Sequence, residues 1–175
     1  MQKLKPVLFF CFIILCSATF KTDNYETIQW VKMEELSLKI KGEKKPILID
    51  LYTDWCHWCK VMDKKTYSNR KVIDYMNEHF YSAKVNAETK ETINWKDKTY
   101  KYNNNYCVNE FALFLTRGQL SFPTTIIITD ENSPPIAIAG FLQPKEMEKI
   151  LKYFGEGAYK TKNFPEFEKT FKSTW

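Results

Sequence analysis

The sequence is short of the residues that build metal and haem sites. It has two histidines, His57 and His79, and five cysteines, two of which (Cys11 and Cys16) fall in the first 18 residues. Cys56 and Cys59 form the one close pair in the remainder, and no second pair accompanies them. A structural zinc site draws four ligands, usually from two separated pairs, so that reading lacks its ligands. The residue after Cys59 is Lys60, not histidine, which excludes covalent haem attachment. An odd, small cysteine number also excludes a disulfide scaffold. There are no internal repeats and no low-complexity linker. No cluster of Lys and Arg marks a nucleic-acid stripe. No apolar run is long enough for a comfortable membrane span; the longest, Val7 to Cys16, has ten residues.

That run carries a different expectation. Lys3 and Lys5 precede it, and the small residues Ser17 and Ala18 follow. This is the anatomy of a cleaved secretory signal, with cleavage near Ala18. A retained anchor and a lipid on Cys16 are the alternatives. Cleavage would remove two lysines and no acid, so the formal charge of +5 would become +3. The mature chain is then expected to be periplasmic or secreted, with residues 19–175 as a single domain. Its 44% apolar and 16% aromatic content is enough for a real core.

The pattern along that domain predicts an α/β fold, a mixed central β-sheet flanked by helices. "TIQW" reads as a short strand, followed by an amphipathic helix ending by Gly42 and Pro46. "PILIDLYT" has the run of apolar and β-branched residues of a strand buried on both faces. A helix is expected from about Cys56 to Tyr67, and another carries Val72, Ile73, Met76 and Phe80 at helical spacing. "YSAKVNAE" is a second buried strand. Residues from about 88 to 107 read as an irregular, solvated insertion with room for a hairpin. "CVNEFALFLTRG" returns to helical periodicity. Two strands follow, "FPTTIIITD" and "IAIAGF", then a helix opened by Pro144 and a last short one.

Structural readings of "WCHWCK" are weak, because a disulfide across so short a loop restricts little of the unfolded chain. Redox chemistry has a local physical basis. The pair follows a buried strand and opens a helix, where unpaired N–H groups and the macrodipole favour a thiolate at Cys56. Cys59 lies three residues on, on the same helix face, and can reach the Cys56 sulfur. It is expected to be the less exposed of the two. Attack by Cys56 on a partner disulfide would give a mixed disulfide that Cys59 resolves.

Strand–W-C-x-x-C–helix resembles the active-site signature of the thioredoxin superfamily. The chain looks most like exported thioredoxin-like proteins of the Bacteroidetes type, and is similar to the C-terminal domain of the bacterial membrane thiol transporter. The resemblance implies a thioredoxin fold and a thiol–disulfide oxidoreductase. It implies that Asp50, six residues before Cys56, is a buried acid that takes the proton of Cys59. It implies that Lys84 on the next parallel strand pairs with Asp50, and that Pro123, preceded by Phe122, is a cis-proline facing the disulfide. Trp55, His57, Trp58 and Phe122 are then expected to form the substrate-binding rim, with Trp58 the more exposed tryptophan. The resemblance implies no organic cofactor and no metal, and exchange with protein thiols and disulfides; a monomer with no nucleic-acid partner is expected. A membrane thiol transporter is the expected electron donor of a reductase. Two departures stand out: the 88–107 insertion, and His57-Trp58 between the cysteines where thioredoxins have Gly-Pro. The second leaves the redox direction open between reductase, and oxidase or isomerase. A thioredoxin-fold binding module with little turnover is the reading from another class. Cys107 is expected to be a small buried residue at a helix start.

Overall fold

The structure is a computed structural model that describes residues 25–39 and 45–175. The expected signal at residues 1–18, and the helix end at Gly42, lie outside the described residues. A four-stranded sheet, in the order β2-β1-β7-β8, forms the centre. Its strands are β1 (Ile47–Tyr52), β2 (Tyr81–Asn86), β7 (Thr124–Ile128) and β8 (Ile136–Ala139). β1 runs parallel to β2 and antiparallel to β7, and β7 is antiparallel to β8. The parallel β1–β2 pair is bridged by α2 (His57–Lys65) and α3 (Arg70–His79), as a parallel connection requires a crossover.

The central strands separate two cores because side chains alternate faces at period two. Ile47, Ile49 and Leu51 of β1 join Ala83, Val85, Ile126 and Ile128 on one face. That face is covered by α1 (Met33–Lys39), the inserted segment and α4 (Glu110–Thr116). Leu48 and Ile127 point to the other face. There they meet Met62 of α2, Met76 of α3, Leu151 of α5 (Pro144–Gly155) and Phe167 of α6 (Phe164–Thr170). Each fully buried Ile or Leu of this kind contributes about 1.5–3 kcal/mol. The helices start where the sequence supplies caps. Asn69 opens α3, Asn109 opens α4, and capping boxes at Gln143/Glu146 and Asn163/Glu166 open α5 and α6. Among the described residues, no helix is long and apolar enough to cross a membrane.

Three expectations need correction here. "TIQW" makes only a single bridge, Trp30 to Ser82, because β2 meets it at one residue before the chain turns into α1. α2 stops at Lys65, short of Tyr67, because the N–H groups of Thr66 and Tyr67 both turn back to the Met62 carbonyl. The insertion is not merely solvated. Its hairpin, β3 (Ile93–Trp95) and β4 (Lys98–Tyr100), buries Ile93, Trp95 and Tyr100 against Phe111 and the α1 side of the core. A second short pairing, β5 (Tyr102–Asn103) with β6 (Val108–Asn109), returns the chain to α4.

Candidate redox site

Cys56 is the N-cap of α2 and is bonded to Cys59. Its sulfur accepts the backbone N–H of Cys59 at 3.0 Å. The sulfur therefore sits where the first turn of a helix offers free donors and positive potential, which favours a thiolate once the bond is reduced. Both cysteines are buried to the same degree, 4% exposed. The expected difference in exposure is absent in the disulfide form. The Phe122–Pro123 peptide bond is cis. The Pro123 carbonyl accepts from Gly140 N–H at 2.8 Å, tying this corner to the end of β8.

Aromatic side chains surround the pair. Trp55 meets Phe122 edge-on, with ring centroids 5.9 Å apart, and its indole N–H donates to Glu88 at 2.9 Å. Trp58 leans on Phe141 at 5.6 Å, and His57 lies 5.8 Å from Trp58. Trp55, at 66% exposed, is more open than Trp58 at 56%. This reverses the expectation: Trp58 leans on Phe141 with the rings 31° apart and also meets His57, whereas Trp55 meets Phe122 in a T-shaped contact. Trp55, His57 and Trp58 are all exposed, so the disulfide is ringed by accessible apolar surface.

Beneath α2, the sheet register places three side chains in one row. Asp50 of β1 stands opposite Lys84 of β2 and opposite Thr125 of β7. All three are on the α2 face by the same alternation that separates the cores. Asp50 is 2% exposed, and one carboxylate oxygen lies 3.2 Å from the Lys84 ammonium. Lys84 also binds Asp63 of α2. Its ammonium is surrounded by the rings of Tyr52, Trp30 and Tyr67, at 5.1, 5.8 and 5.8 Å. Burial raises the Asp50 pKa to about 6, although Lys84 pulls it down. Burial alone would lower Lys84, but the charges of Asp50 and Asp63 outweigh it and hold the ammonium above its ordinary range.

Sequence reasoning missed Asp63, Tyr67, Thr125, Glu88 and Phe141. Asp63 was within reach, since it lies seven residues after Cys56 and so on the same face of α2. The others depend on strand pairing and loop placement, which carry no local signal. Cys107 is corrected: it is exposed, not buried. It sits in the turn between β5 and β6 with φ 54°, two residues ahead of the Asn109 cap, so it never enters the helix or the core. Among the described residues, no group of three or more His, Cys, Asp or Glu is placed to hold a metal ion.

A family profile described as Thioredox_DsbH, protein of unknown function, DUF255, matches residues 14–156. The chain is 26% identical over 135 residues to the thiol:disulfide interchange protein DsbD of Campylobacter jejuni, a match covering 77% of this chain and 20% of that protein. It is 30% identical over 77 residues to human spermatogenesis-associated protein 20, covering 43% of this chain and 9% of the relative. The chain thus matches about a fifth of the length of its DsbD relatives. Among solved structures, a thioredoxin-fold protein from Helicobacter pylori superposes with a TM-score of 0.53 at 19% identity, covering 72% of this chain and 79% of the other. A structure described as a DsbH oxidoreductase superposes with a TM-score of 0.54 at 17% identity, covering 79% and 89%. The fold is that of thioredoxin, and a bonded C-x-x-C pair on that fold is the arrangement of a thiol–disulfide oxidoreductase.

Proposed function

The chain belongs to the Thioredox_DsbH family, and from that premise we propose that it is an exported thiol–disulfide oxidoreductase that reduces disulfides in partner proteins. The observation that carries the reading is the Cys56–Cys59 pair at the start of α2, with the Cys56 sulfur on a backbone N–H and the buried acid Asp50 on the strand behind it. In the reduced protein, the Cys56 thiolate attacks a partner disulfide. One partner sulfur leaves as a thiolate, and a mixed disulfide forms. Asp50 takes the proton of Cys59, whose thiolate then attacks the Cys56 sulfur. The intramolecular disulfide forms, the second partner sulfur leaves, and two electrons have passed to the partner. A dithiol donor must then restore the reduced form. Similarity to a thiol:disulfide interchange protein supports a membrane thiol transporter in that role.

In this scheme Lys84 steadies the charged form of Asp50, and Pro123 faces the disulfide and presents the Phe122 backbone to an extended partner chain. Trp55, His57, Trp58 and Phe122 form the rim that contacts it. Export rests on the basic, apolar and small-residue order of residues 1–18. The domain is then residues 19–175, acting as a monomer in the periplasm or outside the cell.

The test is reduction of insulin by dithiothreitol with catalytic protein, with Cys56→Ser as control, and a redox potential against glutathione. Catalysed reduction, lost in Cys56→Ser, and a potential near about −270 mV are expected. No acceleration, with Cys56 inert to alkylation, would favour the binding module. A potential near about −120 mV would overturn the reductase direction. Mass spectrometry of the exported protein tests cleavage, since an intact Met1 refutes it.

A further inference from the structure

Asp50 has to hold a proton in one half of the cycle and release it in the other, while remaining buried. Lys84 serves only one of these states. An ammonium has three donors and no acceptor, so it bonds the carboxylate but offers nothing to a carboxylic O–H. A buried polar group without a partner is costly, so the neutral acid needs an acceptor from elsewhere.

Two hydroxyls stand in the right place. Thr125 is the cross-strand neighbour of Asp50 on the side away from Lys84. Tyr67 lies two residues past the end of α2 and is buried, its ring edge-on to Trp30 at 5.2 Å. The Lys84 ammonium that lies 3.2 Å from Asp50 is 5.8 Å from the centre of the Tyr67 ring, so phenol and carboxylate flank the same cation. The second oxygen of Asp50, the Tyr67 hydroxyl and the Thr125 hydroxyl are all buried, and none completes a well-formed hydrogen bond. The three groups nonetheless act on one another. Burial pushes the Tyr67 phenol well up, with the Asp50 charge adding to this and Thr125 opposing it.

We propose that Tyr67, backed by Thr125, is a positioning residue for proton transfer at Asp50, because its hydroxyl can donate to the carboxylate and accept from the carboxylic acid. The proposal rests on reading Asp50 as the base for Cys59. In the resolving step the Cys59 S–H bond breaks and an O–H bond forms on Asp50. That O–H donates to the Tyr67 oxygen, and the Tyr67 O–H turns to Thr125. When the proton leaves, Tyr67 turns back and donates to the carboxylate. The other groups facing Asp50 do not share this property. Lys84 from β2 only donates. Asp63 from α2 is anionic and engaged by Lys84. Tyr52, on the same strand as Asp50, adds its ring to the cage around Lys84.

Tyr67→Phe keeps the ring against Trp30 and removes only the hydroxyl. The readout is the pH profile of insulin reduction, whose acid limb in the wild type is expected near the Asp50 pKa of about 6. Phenylalanine can neither donate to the carboxylate nor accept from the acid, so kcat should fall roughly tenfold with KM unchanged, and the limb should move up by less than about one pH unit, since Tyr67 acts on balance to lower the Asp50 pKa. Thr125→Val should shift the limb the same way by less, and Thr125→Ser should restore it. A Tyr67→Phe limb and kcat equal to wild type overturns the proposal, as does a Thr125→Ser that behaves like Thr125→Val. Asp50→Asn separates the two levels. If it removes the limb while Tyr67→Phe leaves the limb in place, only the role of Tyr67 falls. If it leaves the limb unmoved, the reading of Asp50 falls and takes this inference with it.

Discussion

Asp50 and Glu148 are the two buried carboxylates among the described residues, 2% and 0% exposed, and they are held in opposite ways. Glu148, on α5, gathers the residues that follow α6. It accepts from Ser173 Oγ at 2.5 Å, Thr174 N–H at 2.9 Å, Thr174 Oγ1 at 2.7 Å and Trp175 N–H at 3.3 Å, and it pairs with Lys152 at 3.2 Å. Burial alone would raise its pKa, but these donors overwhelm it and hold the carboxyl at about 2. Asp50 has one ammonium and two hydroxyls that do not close on it, so burial wins and its pKa rises to about 6. The two carboxylates therefore have opposite proton affinities: the burial penalty weighs most on Asp50, and the committed donors weigh most on Glu148. The saturated carboxylate is a clasp. The under-supplied one keeps a proton affinity in the range where thiols are exchanged.

The comparison can be broken by removing either acid. Asp50→Asn is expected to slow turnover roughly a hundredfold, the scale of a lost general base. It should also stabilise the fold at pH 7 by up to about 3 kcal/mol, because the wild type holds a disfavoured charge there. Stopped-flow reduction and urea unfolding would read both effects, and a slow but destabilised variant would mean that Asp50 is structural. Glu148→Ala should do the reverse. Stability falls by about 3 kcal/mol as the clasp opens, while turnover of the folded fraction stays within about twofold, since Glu148 binds residues 173–175 and Lys152 and none of the groups the scheme uses.

The pH dependence sharpens the contrast. The folded pKa of Asp50 is raised, so its stabilising contribution is complete below about 4 and is lost as pH rises through about 6. The folded pKa of Glu148 is depressed, so its contribution is present above its ordinary 4.5 and is lost as pH falls through about 2. Of these two carboxylates, Asp50 is the one that titrates between pH 5 and 7. Wild type and Glu148→Ala should therefore both lose about 1 kcal/mol across that window, and Asp50→Asn should not. A slope retained in Asp50→Asn would assign the titration to another group. The smallest effect is expected at a partly exposed carboxylate, Glu88, which holds the Trp55 indole. Glu88→Ala should raise KM for a protein disulfide about two- to threefold without changing kcat, with Glu88→Gln close to wild type. A change confined to kcat would place Glu88 in the chemistry instead of the rim.

Much of the fold was legible locally. The apolar runs around Ile49 and Ile126 specify strands buried on both faces, and the helical spacing of Val72, Ile73 and Met76 specifies α3. Cys56 and Cys59 were legible as a redox pair from their place between a buried strand and a helix. Asp50, Lys84 and Pro123 were reached through the resemblance to thioredoxins. The misreadings share a cause. Cys107 looked like a helix start because apolar periodicity resumes there, yet Asn109 is the cap and a turn precedes it. Trp58 looked like the open tryptophan because it lies inside the motif, yet it leans on Phe141, far along the chain.

By itself, the sequence determined most element types and the pair of thiols at a helix start, because periodicity, capping and spacing act over a few residues, while the acid six residues ahead came from the resemblance. Only the tertiary structure decided how that acid is held. The row Lys84–Asp50–Thr125 exists because three strands pair in one register, and Tyr67 meets it because α2 ends where it does. Glu148 is saturated because residues 173–175 fold back across α5. A carboxylate's proton affinity is a sum over neighbours brought from distant parts of the chain, and no local pattern records that sum.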